Sequence, residues 1–294
     1  MNFSPRMRAT IEAVFVTLLW SSSYVLTKIG LYDVPPLTLV GFRYLIASLI
    51  LLPIAISKRE HRAISSDAWW KLGLLGLLGF TVAQGLQCVG LYYLPSVSVT
   101  LILNFTPILV LLLDRVVTGG TPRRDQIAGM ALILLAASLF FSDQIIEYNL
   151  LGFVFTLISG IGWAGYMVAC KVLFQASEIS ALGNTAFSMT IGTALMSVSA
   201  YLVEGVGFIP ISGWLVIVWL GVVNTALAFF LWNHALETLE AFELSVLQNT
   251  MLIQITLLSF FFLGETLHPV KYVYLALVFI GVYVVQSRRG PGTV

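Results

Sequence analysis

The chain has 294 residues, of which 59% are hydrophobic and 10% charged, and its formal net charge is +1. Soluble domains run about 45–50% apolar and about 25% charged, so this chain has too few polar residues to coat a surface facing water. The composition fits lipid as the solvent. The basic residues are scattered in short groups rather than gathered on one face, which argues against a nucleic-acid partner. The two cysteines, Cys88 and Cys170, stand singly inside apolar segments without metal or redox spacing.

The first apolar stretch is Ile11–Leu31. Arg6 and Arg8 precede it as in a signal peptide, but it runs about 20 residues with no A-x-A cleavage pattern after it, so it reads as a retained first helix. Further spans follow at Leu37–Ser57, Trp70–Leu91, Ser96–Val116, Gln126–Ser142, Leu150–Leu173, Leu182–Val203, Ser212–Ala235, Ala241–Gly264 and Val270–Ser287. A bilayer core about 30 Å thick needs about 20 apolar helical residues, which most of these supply. The third and fourth are separated only by the Leu94-Pro95 break, where proline removes a backbone donor. The expected fold is all-α, with ten transmembrane helices.

Lysine and arginine set the orientation. With both termini cytoplasmic, Arg6, Arg8, Lys58, Arg59, Arg62, Lys71, Arg115, Arg123, Arg124, Lys171, Arg288 and Arg289 fall inside, and only Lys28 and Lys271 fall outside. The implied localisation is the cell (inner) membrane.

Shifting the chain by about 143–145 residues brings features into register. Trp20 and Lys28 meet Trp163 and Lys171, Gly76 meets Gly221, and Asn104 meets Asn249. The chain therefore reads as two related halves, residues 1–145 and 146–294. Five helices per half is odd, so the second half is inverted in the membrane, as in transporters that alternate access around a site at the repeat interface.

No P-loop and no HExxH occurs, so neither an ATPase module nor a zinc-hydrolase helix is present. The sequence offers no metal site and calls for no cofactor. His61, His234 and His268 fall in or beside predicted loops, and Glu12 and Asp114 lie near helix ends. The informative residues are polar ones at mid-depth, because amides in hydrocarbon must face protein or water. The candidate substrate-binding set is Trp20, Ser22, Gln84, Asn104, Trp163, Tyr166, Asn224 and Asn249, with Gln248 and Gln254 at similar depth. These residues fall on helices 1, 3, 4, 6, 8 and 9, which predicts an inner six around a central cavity and an outer four, helix 2 among them. Lys28 and Lys171, at opposite faces under the inverted repeat, are candidate gating residues, with snorkelling to the interface as the plainer reading. Arg43 in helix 2 is expected to bond carbonyls or a neighbouring helix. Gly73, Gly76 and Gly79 make a smooth stripe on helix 3 suited to close packing.

The order of motifs resembles the EamA family of the drug/metabolite transporter superfamily over nearly the whole chain. Leu18–Lys28 resembles the family's opening helix, Arg43 its typical helix 2 arginine, and Leu220–Gln248 its G-V-x-x-T-A pattern, while Leu263-Gly264-Glu265 matches its L-G-E close. The first half carries Gly119-Gly120 where that motif would stand, and the second carries Met251 near the position matching Pro107. The resemblance implies a ten-helix bundle with a central cavity and alternating access, exporting or exchanging amino acids and related metabolites. Phosphate carriers would need several cations in the cavity, whereas amides, serines and aromatics predominate here. The competing readings are an intramembrane enzyme or lipid-modifying protein, for which no catalytic dyad is found, and a passive channel, which gains nothing from inverted halves. The implied partners are the lipid bilayer and a small-molecule substrate; no feature identifies a protein partner.

Overall fold

The computed structural model describes residues 4–62, 64–119, 123–140, 142, 149–177, 179–205, 207–258 and 269–287. The helices are α1 (Pro5–Gly30), α2 (Pro36–Ser57), α3 (Ser66–Tyr93), α4 (Ser96–Leu103), α5 (Thr106–Thr118), α6 (Arg124–Phe140), α7 (Leu150–Gln175), α8 (Ala181–Glu204), α9 (Ile211–Thr238), α10 (Ala241–Gln248), α11 (Met251–Leu258) and α12 (Pro269–Ser287). Among the described residues, eight helical segments are long and apolar enough to cross a membrane, α4 and α5 counting together as Ser98–Val117. The protein is an all-α, multi-pass membrane fold. Gly264, Glu265, His268, Arg288 and Arg289 lie outside the described residues.

Local chemistry fixes the helix ends. The Ser4 hydroxyl accepts the Met7 N–H at 3.2 Å with Pro5 opening α1, and Ser65, Asn149 and Ser180 cap α3, α7 and α8 in the same way. The N-terminus of α2 has no cap of its own. Glu204, at the far end of α8, accepts the N–H groups of Leu37 (2.8 Å) and Thr38 (2.7 Å) instead, placing a carboxylate on the positive end of the helix. The start of α10 carries a capping box between Glu240 and Glu243.

Two helices change their winding at mid-depth. In α3, Leu77–Gly85 is π-helical, and in α9, Val222–Leu227 is. A π segment releases backbone carbonyls for other partners. The Ser159 hydroxyl donates to Ala83 O at 2.6 Å, and Trp20 Nε1 donates to Asn224 O at 3.2 Å. Two other helix pairs are interrupted at matching asparagines: the chain leaves α4 at Asn104 and α10 at Asn249, through N–H bonds to the third preceding carbonyl (Phe105 to Ile102, Thr250 to Leu247). Thr106 and Pro107 open the helix after the first break, whereas Met251 opens the one after the second. The break therefore does not depend on proline.

Small residues bring the helices together. A Cβ on Gly76 would stand 2.6 Å from Ser188 O of α8, and one on Gly79 would enter the Tyr166 ring of α7. Gly73 faces open space, so only two of the three stripe glycines pack. The helices α6 and α12 pack on each other through Gly129 and Gly281, forming a peripheral pair. The expectation of an outward helix 2 is corrected. Tyr44, Ala47 and Arg43 of α2 are buried against α8 and α9, because α2 fills the gap between them. Helix α8 is also packed deeply, burying Asn184, Thr185, Ser188 and Thr193.

Candidate functional site

Inside the bundle lies a narrow cavity with about 50 Å³ of room for water-sized occupants. Three helical stripes line it. In α1 these are Trp20, Ser23, Tyr24 and Thr27; in α3, Gln84, Gln87, Cys88 and Leu91; in α7, Ser159 and Trp163. Val40 and Arg43 of α2, Leu103 of α4, Thr106 of α5, Gln248 of α10 and Met251 of α11 complete the wall. The stripes on α1 and α3 both follow i, i+3, i+4, i+7 spacing, one helical face turned inward. From Trp20 to Thr27 the cavity spans about 10 Å of helix rise, toward the end of the bundle that carries Lys28.

The floor is aromatic. Trp20 and Trp163 meet edge to face at 5.8 Å, and Trp20 contacts Phe229 (5.3 Å) and Trp232 (4.7 Å) below. Trp163 stacks on Tyr166 at 5.3 Å, and Phe80 bridges Tyr166 and Phe229. Beneath the rings lies a buried polar knot: Asn233 Nδ2 donates to Tyr166 Oη and to Thr185 Oγ1, both at 2.8 Å, and Asn184 Nδ2 donates to Tyr166 Oη at 3.3 Å. Further toward the end that carries Arg6, an ion pair joins Arg6 to Glu243 (3.1 Å), and His234 Nδ1 hydrogen-bonds Glu12 Oε2 (2.7 Å). The cavity is thus thickly closed on the Arg6 side.

The candidate residues divide. Trp20, Gln84 and Trp163 line the cavity. The Gln84 amide makes no hydrogen bond to another described residue, which leaves it for a solute or water, whereas Trp163 Nε1 donates to Gln248 Oε1 at 3.0 Å. Tyr166 lies one layer below the floor. Ser22 and Asn224 belong to a seam between α1 and α9: Asn224 Nδ2 donates to Leu19 O at 2.6 Å and to Ser22 Oγ at 3.2 Å. Asn104 and Asn249 sit at the helix breaks next to the lining, and Asn104 Nδ2 is buried without a partner among the described residues.

Both candidate gating lysines hold helix ends. Lys28 Nζ donates to Leu91 O (2.6 Å) and Leu94 O (3.1 Å) at the C-terminus of α3. Lys171 Nζ donates to Leu236 O (3.2 Å) and Glu237 O (3.4 Å) at the C-terminus of α9. A cation there answers the negative helix end and its orphan carbonyls.

Sequence reasoning passed over Tyr24, Thr27, Gln87 and Ser159, and left the mid-depth Ser23, Arg43 and Gln248 outside the binding set. The available signal was the helical face itself: three, four and seven residues on from Trp20 and from Gln84 come the remaining members of each stripe. No group of His, Cys, Asp or Glu among the described residues could hold a metal ion.

Comparison with known proteins agrees with this architecture. The chain is 27% identical to a probable amino-acid metabolite efflux pump of Salmonella typhimurium, over 92% of each chain. It is 26% identical to an uncharacterized transporter of Archaeoglobus fulgidus, over 84% of this chain and 86% of that one. It is 24% identical to an S-adenosylmethionine/S-adenosylhomocysteine transporter of Chlamydia trachomatis, over 91% and 86%. A solved crystal structure superposes with a TM-score of 0.79 at 20% identity, covering 97% of this chain and all of the other, which speaks for the fold. The sequence model of one family matches residues 7–142 and again residues 150–287, and the chain belongs to that family, the EamA-like transporters.

Proposed function

We propose that this transporter carries small organic metabolites of the amino-acid class across the cytoplasmic membrane by alternating access, with binding in the Trp20–Gln84–Trp163 cavity. Membership of the family makes the chain a secondary transporter of small metabolites rather than an enzyme. The substrate class draws on the relative named as an amino-acid metabolite efflux pump. The observation that carries the site is the unpartnered Gln84 amide in a cavity walled by two indoles, which suits a solute with an apolar body and polar groups.

The mechanism rests on ten spans in two inverted halves, residues 1–145 and 146–294. The short α6 and the interrupted α10–α11 supply the two spans beyond the eight long segments. Support for the repeat comes from the paired π segments, the paired asparagine breaks, the paired lysine caps and the double family match. With the termini cytoplasmic, as the lysine and arginine distribution favours, the Arg6 end faces the cytoplasm and the cavity faces outward. Rocking of one half against the other would unstack the aromatic floor and open the Arg6 end. Lys28 and Lys171 would then act by keeping α1 with α3 and α7 with α9 as rigid units.

Counterflow in proteoliposomes with a panel of radiolabelled amino acids tests this. Saturable exchange of at least one is expected, and it is lost when Gln84 and Trp163 are replaced. Absence of exchange for every solute in the panel, or exchange indifferent to both replacements, counts against the reading.

A further inference from the structure

Arg43 is a cation buried in the membrane-spanning part of the fold, 6% exposed and on the wall of the cavity. Its partners are all neutral. Nε donates to Thr225 Oγ1 at 2.6 Å, one terminal nitrogen donates to Asn224 O at 3.2 Å, and the guanidinium carbon lies 5.4 Å from the Tyr44 ring centroid. A guanidinium has five N–H groups, and these two bonds leave most of its fork uncommitted. Among the described residues no carboxylate stands within ion-pair distance of it. None lines the cavity either, where Arg43 is the single charged residue.

An unpaired charge at this depth is costly unless something compensates it. The folded chain supplies dipoles but no counter-anion, and the free part of the fork borders a cavity. We propose that Arg43 is the anion subsite of the transport cavity, and that the solute carried there must bear a carboxylate. The inference rests on the transport reading and narrows it. The planar fork of arginine fits a carboxylate through two parallel hydrogen bonds, which a lysine at the same place would not reproduce.

One atom ties this subsite to the aromatic floor. The carbonyl oxygen of Asn224, released by the π segment of α9, accepts both from Arg43 and from Trp20 Nε1, each at 3.2 Å. The charge and the indole are therefore held in fixed relation across α1, α2 and α9. A solute with its carboxylate on Arg43 lays its body toward Trp20 and Trp163. Since no acid lines the cavity, a positive group on the solute meets only neutral acceptors such as the Gln84 and Gln248 amides and the Ser23 hydroxyl. Organic acids and zwitterions are admitted, and the matching amines are refused.

Cys88 lies on the same wall and reports on the field of Arg43 without any transport measurement. The chain has two cysteines, so Cys170→Ser leaves Cys88 as the sole thiol. Purified protein is treated with an anionic sulfonatoethyl or a cationic trimethylammonioethyl methanethiosulfonate, each rate normalised to that with a free thiol in solution. The anionic reagent is expected to be favoured by about tenfold or more, the size of effect one charge exerts across a partly desolvated cavity. Phenylacetate and L-phenylalanine slow the modification and phenethylamine does not. In Arg43→Gln the preference falls at least fivefold and protection disappears; Arg43→Lys keeps the preference but loses most of the protection. Equal normalised rates, no reaction with either reagent, or equal protection by phenethylamine overturns the proposal. The wild-type rates and competition stand even where Arg43→Gln fails to fold. Intact protection without exchange in liposomes refutes the transport reading alone.

Discussion

Trp20 and Asn224 bind each other's helices in both directions. The Trp20 indole donates to the Asn224 carbonyl at 3.2 Å, while the Asn224 amide donates back to Leu19 O, the carbonyl just before Trp20, at 2.6 Å. Helix α1 and the π segment of α9 are thereby fastened at one level, immediately below the cavity. Hydrogen bonds between membrane helices average about 0.6 kcal/mol, so removing the two side-chain bonds of Asn224 in Asn224→Ala is expected to cost about 1–2 kcal/mol. Asn249 makes no side-chain hydrogen bond to another described residue, and Asn249→Ala is expected to cost less than about 0.5 kcal/mol. Denaturant-titrated unfolding in detergent measures both. Equal losses would show that the α1–α9 seam has no special role.

The glycine stripe of α3 gives a second set. Gly79→Ala drives a methyl into the Tyr166 ring and Gly76→Ala into the Ser188 carbonyl, and neither backbone nor stacked ring can retreat. Overpacking of this kind costs about 1–3 kcal/mol. Gly73→Ala meets nothing within 4 Å and removes a flexible residue from a helix, so it is neutral or stabilising by up to about 1 kcal/mol. The melting temperatures of the three variants order themselves Gly73→Ala, then wild type or level with it, then the other two. A drop for Gly73→Ala as large as for Gly79→Ala would contradict the packing.

These positions show how far the sequence could be read. Hydrophobic length found the helices because lipid demands it, and glycine spacing found the α3 stripe because close approach demands small residues. Neither reveals which glycines face a partner, since that depends on the rotation of α3 against α7 and α8. The same limit governed the site. Mid-depth polarity drew Trp20, Gln84 and Trp163, which line the cavity, together with Asn224 and Tyr166, which serve the packing beneath it. Depth is legible from position along a span, whereas azimuth needs the neighbouring helices. Helix 2 reads as outward because it carries few other mid-depth polar residues; Arg43 does bond a carbonyl and a hydroxyl of the neighbouring α9, as expected, and that burial also brings it to the cavity wall.

The lysine caps separate two roles for Lys28 and Lys171. As caps, each answers the carbonyls of a helix C-terminus, and Lys28→Met or Lys171→Met is expected to cost about 0.5–2 kcal/mol of stability. Arginine at either position retains most of that, because it carries the same charge to the same carbonyls. As mobile gates, the methionine variants would lose exchange while unfolding like the wild type. Measuring exchange and unfolding on the same preparations decides between the two, and a loss of exchange at unchanged stability would refute the capping role.

The closure at the Arg6 end yields the last prediction. The Glu243 side chain is fully buried while that of Arg6 is 34% exposed, so the acid depends on the arginine more than the reverse. Removing Arg6 takes a cationic partner from a buried carboxylate, which costs more than losing both members of the pair together. With Arg6 partly in water, the penalty on the closed state of Arg6→Ala is discounted to about 1 kcal/mol, roughly a fivefold shift in the ratio of the two states. The transporter then spends more time open at the Arg6 end and less with its cavity open at the Lys28 end. In a Cys170→Ser background, membrane-impermeant labelling of Cys88 from the Lys28 side is expected to slow, by at most about that factor. Adding Glu243→Gln removes the buried charge that Arg6 answered and restores much of the rate, a coupling that a merely unfolded Arg6→Ala would not display. Labelling unchanged by Arg6→Ala, or slowed further by the second substitution, would show that this ion pair does not hold the closed end.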